Sequence, residues 1–127
     1  MVALLSQEWL DKRSELAAEL PVRPGASARI QVVVTGAPEG QVAYVDVFDD
    51  GRLTSTLGPS EDVDVTFTET YADAVAIARG ELDLHVGFMR GQVKFVGDVG
   101  ALMQVLPVTQ SEEHRAAVLR LAELTDS

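Results

Sequence analysis

The chain has 127 residues, 46% of them hydrophobic, and a formal net charge of −10 at pH 7. This length predicts a single domain over residues 1–127, and the composition excludes a disordered chain. The acidic balance argues against nucleic acid and against anionic membrane surfaces, because both attract clustered lysines and arginines. The lack of cysteine excludes disulfides, a thiolate nucleophile and cysteine-based zinc sites.

The N-terminal segment does not have the pattern of an export signal. Residues 1–5 contain no basic side chain, and Gln7 and Glu8 follow directly. No apolar run approaches the ~20 residues that a membrane helix needs. We therefore expect a cytoplasmic protein without stable membrane insertion.

The first predicted element is an amphipathic helix over residues 4–20. Ser6 is a suitable N-cap, and Pro21 cannot continue the helix. We expect Trp9, the only tryptophan, to anchor the helix to the core. Large apolar side chains recur at helical spacing along one face: Leu5, Trp9, Leu16 and Leu20.

Four strands are predicted next. Alternating or apolar segments occupy residues 29–35, 41–48, 52–57 and 62–67. Asp50 and Gly51 between the second and third strands predict a tight hairpin with a primed turn. The alternation is typical of a mainly antiparallel sheet with one covered and one wetter face.

Helical signals dominate the second half. Thr70 and Asp73 form the N-terminal signature of a helix that ends at Gly80. The later predicted elements are a short helix over residues 84–89, a fifth strand over residues 92–96, a helix from Asp98 to about Val105 that Pro107 ends, and a last helix that reaches Thr125 and is opened by the capping box from Thr109 to Glu112. Gly91 and Gly97 flank the fifth strand, and we expect at least one of them to have a positive φ.

The sequence offers no recognisable catalytic or metal motif. His85 and His114 stand in different elements without a partnered motif around either. The acidic residues Asp46, Asp49 and Asp50 fail the EF-hand pattern, and we interpret them as hairpin chemistry. No serine or threonine nucleophile has a base at motif spacing. We expect a protein that is not an enzyme and needs no metal or cofactor.

The stretch from residue 80 to residue 106 is rich in large, flexible apolar side chains. Glycines divide it into short units, which pack less tightly than one long helix does. Two interpretations stay open: an adaptable apolar cavity, or an ordinary filled core. The side chains predicted to line the cavity and to contact a ligand are Phe67, Tyr71, Val75, Leu82, Val86, Phe88, Met89, Phe95, Leu102, Met103 and Leu106.

Several segments in this order resemble the sterol carrier protein type 2 family. They are Val63-Asp64-Val65-Thr66-Phe67-Thr68, Ala78-Arg79-Gly80-Glu81-Leu82, Gly87-Phe88-Met89-Arg90-Gly91-Gln92-Val93-Lys94-Phe95 and Gly97-Asp98. The resemblance covers about residues 4–107, is strongest over residues 63–106, and leaves a C-terminal helix over residues 108–127 outside. It implies an α+β fold, in which a five-stranded, mainly antiparallel sheet with helices packed on one face encloses an apolar tunnel.

The resemblance also implies a function: non-catalytic binding and transfer of an apolar lipid, namely a sterol, a fatty acid or a fatty acyl-CoA. Glu81 and Gln92 stand where the family often has lysine, which makes a phosphorylated acyl-CoA a poorer fit. The C-terminal helix is expected to cover the tunnel or to form a homodimer surface. The alternative is a protein-interaction or regulatory module that has the same fold and a filled core.

Overall fold

A computed structural model describes residues 1–126. Its five helices are α1 (Gln7–Ala17), α2 (Tyr71–Ala78), α3 (Leu84–Met89), α4 (Val99–Thr109) and α5 (Glu112–Glu123). Its strands are β1 (Val2–Ala3), β2 (Ala28–Ala37), β3 (Gly40–Asp49), β4 (Arg52–Leu57), β5 (Val65–Thr70), β6 (Lys94–Gly97) and β7 (Thr125–Asp126).

The main sheet has five strands in the order β4-β3-β2-β5-β6. β2 and β5 are parallel, while the other three neighbouring pairs are antiparallel. The predicted α+β class with a mainly antiparallel five-stranded sheet is confirmed. The hairpin between β3 and β4 is also confirmed, since Asp50 and Gly51 have φ values of 48° and 91°, as a primed turn requires.

The inner face of the sheet follows from the alternation in the strands. In β2, the inward residues are Ala28, Ile30, Val32 and Val34, all at most 6% exposed. Helix α1 packs against β4, while α2 and α4 pack against β2 and β5. Burial of these apolar side chains between sheet and helices supplies the main stabilisation of the fold.

Several element boundaries differ from the prediction, and the last helix begins at Glu112 with Ser111, not Thr109, as its N-cap. Helix α1 begins only at Gln7, because Leu5 has a φ of 65° and the hydroxyl of Ser6 accepts a hydrogen bond from the backbone N–H of Trp9 at 3.1 Å. The fifth strand covers residues 94–97 instead of 92–96. The backbone N–H groups of Gln92 and Val93 donate to the carbonyl of Gly87 and so complete the end of α3.

Pro107 does not end the fourth helix, contrary to the prediction. Helix α4 continues through it to Thr109. A proline inside a helix removes one backbone donor, yet neighbouring packing can hold the helix together. Here Val105 and Val108, on either side of the proline, are at most 1% exposed, and their burial supports the last turn.

The predicted helical face does not extend to Thr125. Helix α5 ends at Glu123, and Thr125 and Asp126 pair in parallel with Val2 and Ala3. The hydroxyl of Thr125 donates to the carbonyl of Leu121 at 2.6 Å. This hydrogen bond holds the chain in place where it leaves α5. Residues from the two ends of the described chain therefore lie side by side. Within residues 1–126, none of the helices has both the length and the apolar character needed to cross a membrane.

Candidate functional site: a cavity between the sheet and the helices

A cavity of about 390 Å³ lies between the inner face of the sheet and the helices. Its volume falls within the range of ~300–1,000 Å³ that is typical of small-molecule sites. The sheet contributes mainly apolar residues, among them Ile30, Val32, Phe48 and Phe67. All five helices contribute to the facing walls. The space is not filled by protein side chains, as the alternative of a filled core would require.

Five of the eleven predicted lining residues are part of the cavity wall: Phe67, Leu82, Phe88, Leu102 and Leu106. The other six lie outside it: Tyr71, Val75, Val86, Met89, Phe95 and Met103. Whether any of the eleven contacts a ligand stays a prediction.

The faces of two helices explain this division. In α4, Leu102 and Leu106 are four residues apart and share the inner face, whereas Met103 is 58% exposed. In α3, Phe88 lines the cavity while the next residue, Met89, points to solvent. Phe95 packs behind the wall, with its ring centroid 5.7 Å from that of Phe88.

The wall also contains residues that the prediction did not include. Helix α1 contributes Trp9 and Arg13, and helix α5 contributes residues on one face: His114, Arg115, Val118, Leu119 and Leu121. The signal was present in the sequence, because both helices have a continuous apolar face. The sequence does not show where the apolar faces of α1 and α5 lie in space relative to residues 80–106. The C-terminal helix covers the cavity, as one of the two expectations for it required.

A buried ion pair lies in the wall. The Nη2 atom of Arg13 is 2.7 Å from Oδ2 of Asp46, and its Nε donates to the Ser55 hydroxyl at 3.1 Å. The Ser55 hydroxyl in turn donates to Oδ1 of Asp46 at 2.6 Å. Burial works against the charge on Arg13, but Asp46 holds the pKa of the guanidinium above its ordinary value. The interpretation of Asp46 as part of the hairpin is wrong, since it points inward from β3 between Tyr44 and Phe48.

Glu69 is a second buried carboxyl group in the wall, and it is only 4% exposed. Its Oε2 atom has no hydrogen-bond partner among residues 1–126. Burial raises the pKa of Glu69 to about 7, the nearby Asp73 adds to this rise, and Arg13 opposes it. The group is therefore poised to change its charge near neutral pH.

Two further side chains add polar atoms to a wall that is otherwise mostly apolar. Burial, together with the positive charge of Arg13, lowers the pKa of His114 to about 4, so that this imidazole is neutral at pH 7. Trp9 is 3% exposed, and its Nε1 atom likewise has no hydrogen-bond partner in the described part of the chain. The rings of Trp9 and Tyr44 meet edge to face at 5.8 Å. The cavity is thus apolar over most of its wall, with a few polar groups at defined positions.

The cavity has an exposed rim, to which the α2–α3 connection, α3 and α5 contribute. The exposed lining residues there include Gly80 and His85 on one side and Arg115 and Leu119 on the other. Gly80 has a φ of 76°, and a Cβ atom there would lie 2.8 Å from Cδ2 of Leu119. The glycine therefore lets α5 approach closely at the rim. Within residues 1–126, no group of three or more acidic, histidine or cysteine side chains is arranged to hold a metal ion.

The fold is similar to those of several solved proteins. A conserved hypothetical protein from Thermus thermophilus, described as possibly a sterol carrier protein, is 19% identical and has a TM-score of 0.73; the alignment covers 96% of this chain and 92% of that one. A crystal structure of sterol carrier protein 2 is 17% identical with a TM-score of 0.67, covering 94% and 98%. Palmitated SCP2L2 from Aedes aegypti is 16% identical with a TM-score of 0.60, covering 84% and 92%.

At the level of sequence, no curated protein matches the chain significantly. A family model does match: the model of the SCP-2 sterol transfer family aligns with residues 7–110. This match includes the helices α1 to α4 with their connections and the whole five-stranded sheet, which together form most of the cavity wall. The chain belongs to the SCP-2 sterol transfer family.

Proposed function

We propose that this protein binds one apolar lipid molecule in the cavity and carries it through water, with no covalent chemistry. The observation that carries the proposal is the largely apolar cavity of about 390 Å³ in a chain of this family. A sterol or a fatty acid has the required apolar body. The cytoplasm is the compartment that we infer for this activity.

The driving force is the transfer of apolar surface out of water. At ~25 cal/mol per Å², burial of a few hundred Å² of ligand surface contributes several kcal/mol before the entropy of association is subtracted. The cavity supplies this burial through aliphatic and aromatic side chains, and its opening beside α5 gives the ligand a route in. Reversible exchange follows, because no bond to the protein has to break.

The rim makes a fatty acyl-CoA a poor ligand. Asp83 lines this end of the cavity, and the neighbouring Glu81 is exposed. Arg115 is the one arginine or lysine among the rim residues on the α5 side. A coenzyme A head group carries several phosphate charges, which need clustered cations for stable binding. A lipid without phosphate fits this rim better.

Matched tryptophan substitutions on α4 test the proposal. In Leu106→Trp, the larger ring is expected to occupy part of the cavity, so binding of a fluorescent sterol or fatty acid should weaken at least tenfold. The melting temperature should change little, because filling a cavity strains a protein less than overpacking a tight core. Met103→Trp is the control. Because Met103 lies on the exposed face of the same helix, this variant should bind the fluorescent lipid as tightly as the wild type does.

Native mass spectrometry of the purified wild-type protein should in addition show a co-purified lipid. Three results together would sink the proposal: no lipid in the native spectrum, no binding of either probe by the wild type, and a melting temperature of Leu106→Trp several degrees below that of Met103→Trp. They would instead favour an interaction module whose interior accepts no ligand.

A further inference from the structure

We propose that Glu69 is a head-group anchor inside the cavity, which favours a lipid with an uncharged hydroxyl group over a fatty acid of the same chain length. This inference rests on the proposed lipid-carrier function and adds the chemical class of the ligand. The indole N–H of Trp9 is a second polar contact in the same cavity.

The first argument is that two polar atoms in the wall have no partner. Oε2 of Glu69 and Nε1 of Trp9 are both buried, and neither makes a hydrogen bond within residues 1–126. Buried polar atoms are nearly always hydrogen-bonded, and an unsatisfied one destabilises a protein considerably. Both residues line the cavity, so a ligand placed there is the natural partner for them.

The second argument concerns the position of these two groups. Glu69 is the last inward residue of β5, and it pairs with Val34 of β2. Trp9 lies on α1, and the Arg13 guanidinium carbon lies 5.7 Å from the centroid of the Trp9 ring. Arg13 is also close enough to influence the pKa of Glu69. Glu69 and Trp9 therefore both lie near Arg13, and the three residues form one polar region of the wall.

The third argument is the charge balance of that region. Arg13 is the buried cation there, and Asp46 already accepts two of its hydrogen bonds. A buried carboxylate of a ligand would add a further anion beside Asp46 and Glu69 without a free cation to balance it. A hydroxyl group brings no charge, and it can donate to Glu69 while it accepts from another group. The region consequently discriminates against an anionic head group.

The test compares dodecan-1-ol with dodecanoate at pH 7.5, using the fluorescence of Trp9 and titration calorimetry. Trp9 is the only tryptophan of the chain, so its emission reports directly on the proposed region. The wild type should bind the alcohol about tenfold more tightly than the acid. In Glu69→Leu, affinity for the alcohol should fall about tenfold, and the preference should disappear. Glu69→Gln keeps a hydrogen-bonding group of the same shape and should retain most of the affinity.

Glu39→Gln is the control variant, because it removes an exposed carboxylate between β2 and β3, away from the cavity wall, and should leave both affinities unchanged. Tight binding of dodecanoate by the wild type, with no effect of Glu69→Leu on either ligand, would overturn the anchor while the carrier function stands. This is the result expected if the carboxylate of dodecanoate stays at the rim near Arg115. A preference for the alcohol that survives in Glu69→Leu would also overturn it. Failure of the wild type to bind either ligand would count against the carrier function itself.

Discussion

Glu69, which is buried, and His114, which is half-buried, are titratable side chains of the cavity wall that respond to pH in opposite directions. The pKa of Glu69 is raised from 4.5 to about 7, so the folded state binds its proton more tightly than the unfolded chain does. The pKa of His114 is lowered from 6.5 to about 4, so there the unfolded chain binds the proton more tightly. Between about pH 4.5 and 6.5, the two contributions to stability therefore oppose each other.

The variant Glu69→Gln separates the two contributions. As pH rises from about 4.5 to 7, the wild type should lose stability relative to this variant, because a buried carboxylate replaces a neutral carboxyl group. The difference in unfolding free energy should reach up to about 3 kcal/mol at pH 8. Asp73, Asp46, Arg13, Tyr44 and His114 all face the same region, and they are unchanged in the comparison.

Urea unfolding at half-unit pH steps provides the measurement. A third protein, His114→Gln, should gain stability relative to the wild type as pH falls from 6.5 to 4, since it has no imidazole to keep neutral. Parallel stability curves for the wild type and Glu69→Gln from pH 4 to pH 8 would show that the carboxyl group is not held in its neutral form.

At the scale of the elements, β6 shows most directly how a backbone position restricts the residue type. Gly91 and Gly97 lie before and at the end of this strand, with φ values of 75° and 135°, so the expected positive φ is confirmed for both. Their surroundings differ. A Cβ atom on Gly91 would meet no atom within 4 Å, whereas one on Gly97 would overlap the carbonyl oxygen of Asp64 and lie 2.8 Å from Cα of Val65.

The two alanine variants should therefore differ in stability. Gly91→Ala carries only the strain of a positive φ, and we expect it to lose about 1 kcal/mol. Gly97→Ala also forces β5 and β6 apart, so its loss should be about 3 kcal/mol or more, with a correspondingly lower melting temperature. Equal melting temperatures for the two variants would show that the close contact of β6 with β5 is not a constraint.

The elements also show what the sequence could predict. The alternation in β2 and the turn residues Asp50 and Gly51 are local signals, and they were sufficient for the strands and the hairpin. The cavity wall is different, because it depends on which face of each helix turns inward. Leu102 and Met103 are adjacent, equally apolar and on one helix, yet only Leu102 reaches the cavity. The sequence alone favours a hairpin role for Asp46 and indicates no role for Glu69, because it does not show which helices cover these two side chains.

On the scale of the whole molecule, the chain carries 20 acidic and 10 basic side chains, so about half of the acidic side chains have no basic side chain to balance them. Several of the ion pairs, such as Lys12 with Glu15, are exposed and contribute little. Mutual repulsion should therefore weaken the folded state at low ionic strength.

Added salt should stabilise the protein at pH 7. An increase in sodium chloride from 20 mM to 300 mM shortens the screening length from ~20 Å to ~6 Å, and we expect the melting temperature to rise by a few degrees. Near pH 4.5, where many carboxylates are protonated, the same addition should have a much smaller effect. A melting temperature that falls with salt at pH 7 would indicate that attractive pairs, and not repulsion, dominate the surface.

The pairing of β1 with β7 has a consequence for the order of events during synthesis. The cavity has one wall from α1 and another from α5, and about a hundred residues separate these helices along the chain. A nascent chain can form the hairpin of β3 and β4 while it is still attached to the ribosome, because this contact is local. The cavity cannot close until α5 has left the exit tunnel, and the pairing of Ala3 with residue 126 completes this end of the fold. Under the proposed function, the first lipid is therefore taken up only after that point, from whatever pool surrounds the emerged domain.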